Sequence, residues 1–112
     1  MDRQKELREQ YKNREVVGGV YRIFNTNNDR HFLAASSNLA GSKNRYDFAV
    51  STDMCLLPSM KEDWKLYGAA SFTFEILEEL EKKAEQTTRE FESDLETLRA
   101  LWQEKLGQPP SY

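Results

Sequence analysis

The stretch Gly18–Leu39 reads GGVYRIFNTNNDRHFLAASSNL, and its reading decides the fold. Two apolar runs rich in β-branched and aromatic residues, VYRIFNT and RHFLAA, flank a cluster of Asn and Asp. Runs of this kind suit a pleated, half-buried surface. Asn and Asp tolerate left-handed backbone and hydrogen-bond their own main chain, so NTNND is turn chemistry. The spacing predicts an antiparallel hairpin with a loop of roughly five residues. SSN at 36–38 then caps a helix beginning near Leu39, which Gly41 weakens by about 1 kcal/mol relative to Ala.

Downstream, residues 46–57 read equally as continued helix or as a short strand. SMKE at 59–62 fits a Ser-x-x-Glu capping box, opening a helix with Met60, Trp64 and Tyr67 on one side. Gly68 stands where a helix C-terminus favours glycine. SFTFEILEEL at 71–80 predicts a third strand, half-buried at its start, with Phe72, Phe74, Ile76 and Glu78 alternating against Thr73, Glu75 and Leu77. TTRE at 87–90 is a second capping box. Behind it Phe91, Leu95, Leu98 and Trp102 form a helical stripe that Leu101 and Leu106 widen. Gly107, Pro109 and Pro110 end that helix. Upstream, Asp2 caps a short charged helix whose apolar face is only Leu7 and Tyr11.

These elements predict a small α+β domain, a three-stranded antiparallel sheet flanked by helices. The expected divisions are an N-terminal helix over residues 1–15, the domain over 16–106 and a flexible tail over 107–112. The chain has 112 residues, enough for one modest core. Hydrophobic residues at 38% and charged residues at 31% suit a globular chain rather than a disordered one. Apolar runs are too short to span a membrane, and the charged N-terminus lacks a signal-peptide core, so a cytoplasmic location is expected. The single cysteine, Cys55, excludes an internal disulfide and reads as a small core residue beside Leu56 and Leu57. Net charge is −3 and residues 81–112 carry five basic against seven acidic groups, which is not the footprint of a strong nucleic-acid binder.

The hairpin and third strand together resemble the GIY-YIG nuclease family. GVY at 19–21 matches the first triplet, and FLA at 32–34 stands where the second, usually YIG, belongs. SSNL at 36–39 matches the serine and helix start that follow, and WKLYGAASFTFEILEEL at 64–80 matches the helix, YG turn and third strand. The resemblance runs from about Gly19 to Leu80. It implies Mg²⁺-dependent hydrolysis of DNA phosphodiesters. In that chemistry a tyrosine acts at the attacking water, a second tyrosine and a helix arginine hold the phosphate, and a glutamate binds the metal.

Carried over residue by residue, Tyr21 matches the first tyrosine. Phe32 takes the second tyrosine position and has no hydroxyl to donate or relay a proton. Ala34 replaces the second triplet's glycine. The arginine position falls on Ser42; Arg45, three residues on, returns to roughly the same helix face and is the substitute candidate. The last helix carries Glu90, Glu92, Asp94 and Glu96, and Glu96 is taken as the candidate metal ligand. His31, the only histidine, is a candidate for acid–base work, set against a plain solvated role at a polar hairpin end. Trp64 and Trp102 read as core, and the acidic run as a solvated helix face.

The resemblance with these losses implies a nuclease-like domain with a degenerate site, a binding or accessory module with little or no hydrolysis and weak DNA contact. Two rivals stand beside it. One is an active Mg²⁺-dependent endonuclease with a site rearranged around Tyr21, His31, Arg45 and a last-helix glutamate. The other is a protein–protein interaction domain using the acidic back half and the N-terminal helix.

Overall fold

Strand β1 (Val17–Asn25) runs through the middle of a three-stranded sheet, between β2 (His31–Ser36) and β3 (Phe72–Glu81), and both neighbours are antiparallel to it. The computed structural model describes residues 17–107 and 111–112. The helix expected over residues 1–15 lies outside the described residues. Helices α1 (Leu39–Thr52), α2 (Lys61–Tyr67) and α3 (Thr88–Leu106) complete the α+β domain.

The β1–β2 hairpin closes through a five-residue loop, 26–30. Its Asn side chains do the bonding that the turn chemistry calls for. Asn25 Oδ1 accepts from the Asn27 amide at 3.0 Å, Asn28 Oδ1 accepts from the Arg30 amide at 3.1 Å, and Asp29 takes a left-handed φ of 62°. The register sets Tyr21 opposite Ala34, Ile23 opposite Phe32 and Phe24 opposite His31. Side chains alternate across a strand, so Tyr21, Ile23 and Phe32 project from one face and Val20, Phe24 and His31 from the other.

The first face carries the main core. Ile23, Phe72, Tyr46, Ala49, Met60 and Trp64 are buried together there, bringing α1 and α2 onto the sheet. Trp64 is also pinned by its indole N–H, which donates to Asp53 Oδ1 at 3.1 Å. The second face takes α3. A Cβ placed on Gly18 would meet the Phe91 ring at 2.9 Å and the Ser36 carbonyl at 2.5 Å, so glycine is what lets the helix approach. At Gly19 a Cβ would stand 2.1 Å from the Glu78 carbonyl of β3.

Helix termini follow local chemistry. Asn38 caps α1, its Oδ1 accepting from the Gly41 amide at 3.0 Å. The ambiguous segment resolves as helix through Thr52, ended by Asp53 at φ 53°, and then as irregular chain up to Pro58. Thr87 and Glu90 form the expected reciprocal box at the start of α3. The box expected at Ser59–Glu62 does not form. Pro58 opens a 3₁₀ turn over Pro58–Met60 that runs directly into α2, and the Met60 and Lys61 amides are satisfied by the Leu57 and Pro58 carbonyls. With those donors taken by backbone, no side-chain cap is needed.

Two expected patterns are corrected. β3 does not alternate along its length: a bulge opposite Val20 and Tyr21 leaves Leu77 without a partner. Beyond it the half-buried positions are Leu77 and Leu80, while Ile76 is 44% exposed. On α3, Phe91 and Leu95 are buried and Leu98 and Trp102 half-buried, but Leu101 is exposed and does not widen the stripe. The segment expected to be a flexible tail ends in a docked residue. The Tyr112 amide donates to the His31 carbonyl at 3.0 Å, and its ring packs near Phe72.

Candidate active-site cleft

A cleft of about 160 Å³ opens where the first face of the sheet meets α1 and the irregular segment before Pro58. Tyr21 stands at its β1 wall, braced by stacking on Phe74 with ring centroids 4.7 Å apart. Ile23 and Phe32, cross-strand partners, supply the adjoining wall, and Leu56 and Leu57 close the far side. Helix α1 contributes Ser42 and Arg45.

Each of these side chains has a definable state. Phe32 presents a ring without a hydroxyl in this wall, so it packs and cannot hold a phosphate oxygen. Ser42 is buried, and its hydroxyl meets that of Ser36 at 2.7 Å. That pair ties the start of α1 to the end of β2. Arg45 is exposed at the mouth of the cleft. Arg22, Arg30 and Arg99 are each paired with a carboxylate, but Arg45 has no ion pair or hydrogen bond among the described residues. Lys43 faces elsewhere, bonding Asp47 at 2.6 Å with its ammonium over the Tyr46 and Phe74 rings.

Two candidates lie away from this cleft. His31 is on the opposite face of the sheet and is buried, not solvated, with neither ring nitrogen bonded among the described residues. Burial, then the charge of Arg22, lowers its pKa from the ordinary value, which favours the neutral imidazole. Glu96 is on α3, exposed, and its carboxylate accepts from Arg99 Nε at 2.9 Å. That hydrogen bond lowers its pKa.

The residues of the cleft do not fit a divalent metal ion. Hard cations need oxygen ligands, normally with at least one carboxylate. No Asp or Glu lines the cleft, and among the described residues no group of three His, Cys, Asp or Glu side chains converges anywhere.

A second polar cluster went unforeseen. Asp63 on α2 accepts from the Tyr112 hydroxyl at 2.7 Å, from the Asn28 side-chain Nδ2 at 2.8 Å and from Arg30 at 3.2 Å. The Tyr112 hydroxyl also accepts from buried Asn25 at 2.9 Å, and the Arg30 guanidinium lies 4.3 Å from the Tyr112 ring. Burial and then Asp63 push the Tyr112 pKa up to about 12, and the Tyr112 hydrogen bond leads those that lower Asp63. The cluster locks the hairpin loop to α2. Its sequence signal was slight, an aromatic residue beyond two prolines and a loop crowded with Asn.

The arrangement as a whole is similar to two solved structures of the catalytic domain of intron endonuclease I-TevI, a GIY-YIG nuclease. One, of a mutant form, is 17% identical with a TM-score of 0.57, covering 80% of this chain and 84% of that one. The other is 17% identical with a TM-score of 0.51, covering 80% and 87%. The chain has a GIY-YIG endonuclease-like fold. No family profile and no curated protein sequence matches it. The GIY-YIG-like sheet and helices set Tyr21, Phe32, Ser42 and Arg45 around one cleft, and leave His31 and Glu96 outside its lining. Ile23, Leu56 and Leu57 complete its walls. The two leucines read in sequence only as neighbours of a core cysteine, because the irregular chain that turns them inward has no periodicity. No helix among the described residues is long and apolar enough to cross a membrane.

Proposed function

We propose that this GIY-YIG-like domain binds nucleic acid as an accessory module and hydrolyses phosphodiesters weakly or not at all. The composition of the cleft carries the reading. Tyr21 faces a phenylalanine and a serine committed to Ser36, and no carboxylate joins it. Phosphodiester cleavage by this fold needs a metal ligand, a phosphate clamp and a proton relay acting together. Loss of one group acting in a transition state costs about 10²–10⁴ in rate, and loss of several that act as a unit leaves little. What remains suits binding. Arg45, unpaired among the described residues, offers a planar fork of donors to a phosphate.

One observation favours the active reading: Arg45 lines the same cleft as Tyr21, where a rearranged site would need it. A plasmid assay separates the two. Supercoiled DNA incubated with pure protein and Mg²⁺ or Mn²⁺ stays largely supercoiled under the present proposal. Nicking that vanishes in Tyr21→Phe establishes the endonuclease instead.

A further inference from the structure

We infer that the cleft seats one unpaired base of single-stranded nucleic acid, with Arg45 meeting the adjoining phosphate and no divalent cation taking part. The inference rests on the nucleic-acid reading above and sharpens it to a strand type and a mode of contact.

Three observations converge. The first is size and lining. An apolar cavity of about 150 Å³ walled by Leu, Ile and Phe accepts one six-membered aromatic ring. This cleft is of that volume, about 160 Å³, with Ile23, Phe32, Leu56 and Leu57 in its walls. A phosphate group gains nothing from such walls, since a buried charge needs partners there. A base presents an apolar face, and Phe32 and Tyr21 in the lining are aromatic side chains of the kind on which any base can stack. Bases in a duplex are stacked on their neighbours and expose only their edges, so a ring that enters must be unpaired.

The second observation is charge. Arg45 stands at the mouth of the cleft, exposed and without an ion pair among the described residues. An anion next to the seated ring satisfies it, and a nucleotide carries its phosphate one sugar away from its base. The third is the absence of a carboxylate from the lining, which removes the site's means of holding Mg²⁺. Phosphate is then neutralised by the guanidinium alone.

Fluorescence anisotropy with labelled oligonucleotides tests this, at low salt and with EDTA. The probes are an oligothymidylate, an abasic strand of equal length and a duplex. The inference expects the oligothymidylate to bind about tenfold or more tighter than the abasic strand, and tighter than the duplex. Arg45→Ala, at an exposed helix position, weakens the oligothymidylate. Leu57→Trp, which fills the cleft, abolishes its advantage over the abasic strand. Added Mg²⁺ weakens binding as a competing counterion. Equal affinity for thymidylate and abasic strands, or tightest binding to the duplex, overturns the seated base and leaves the nucleic-acid reading standing. Binding strengthened by Mg²⁺ overturns the metal-free contact. Failure to bind all three probes overturns the nucleic-acid reading itself.

Discussion

The hydroxyls of Ser36 and Ser42 meet at 2.7 Å, joining the last residue of β2 to the first turn of α1. Ser42 stands where the family resemblance calls for an arginine. A side chain that would reach for phosphate is replaced by one that turns inward to stabilise the frame. Ser36 also accepts from the Asn38 amide at 3.1 Å, so the contact supports the helix cap. Ser42→Ala removes one part-buried hydrogen bond and costs about 1 kcal/mol. Urea denaturation reads this as a lower midpoint with an unchanged slope.

Arg45 should matter to nucleic acid and not to folding. Its side chain is exposed and makes no ion pair among the described residues, so Arg45→Ala leaves stability within about 0.5 kcal/mol of wild type. The same substitution removes one phosphate contact. The plot of log affinity against log salt then becomes shallower by about 1. Titrations at several salt concentrations measure it, and an unchanged slope places the phosphate contact elsewhere.

The hairpin anchor predicts a pH dependence at both extremes. The Tyr112 pKa is raised from 10.0 to about 12 in the folded chain, so its neutral form is the one the fold prefers. Its contribution is complete below pH 10 and is lost as pH rises from about 10 to about 12. Asp63 is shifted the other way, below its ordinary 3.8, so its contribution is present above that value and lost as pH falls through and below it. Tyr112→Phe flattens the alkaline limb and costs about 1–3 kcal/mol at neutral pH, because Asn25 and Asp63 lose a partner. Thermal melts of both proteins across pH check the sign. An alkaline limb unchanged by the substitution contradicts the anchor.

Gly19 is needed for close approach. A methyl there would overlap the Glu78 carbonyl at 2.1 Å, and the obstacle is backbone that cannot swing aside. Gly19→Ala should cost about 3 kcal/mol, lowering Tm by about 10 °C.

The parts of the fold written in local chemistry were legible. The hairpin announced itself through Val20, Ile23 and Phe24 against an Asn-rich loop, and α3 through the Thr87–Glu90 box and the Phe91–Leu95 spacing. What escaped depends on chain brought from elsewhere. The Ser59 box was a sound local pattern overridden by Pro58, whose 3₁₀ turn supplied the backbone bonds first. The bulge at Leu77 had no local mark, because a strand of Glu and Leu reads the same on either register. His31 looked solvated because it follows a polar loop, yet its pairing with Phe24 turns it into the opposite face of the sheet. The cleft was legible where the resemblance reached it, at Tyr21, Phe32, Ser42 and Arg45. Its Leu56 and Leu57 wall was not.

The central claim is that this nuclease-like cleft holds nucleic acid while cutting it weakly or not at all. The most direct measurement incubates excess protein with labelled single-stranded and duplex oligonucleotides in Mg²⁺, at low salt, and follows bound fraction and strand length together. The account predicts strand that is bound and largely intact, with a bound fraction that falls in Arg45→Ala. Strand that shortens with time in the wild type and stays whole in Tyr21→Phe would contradict it.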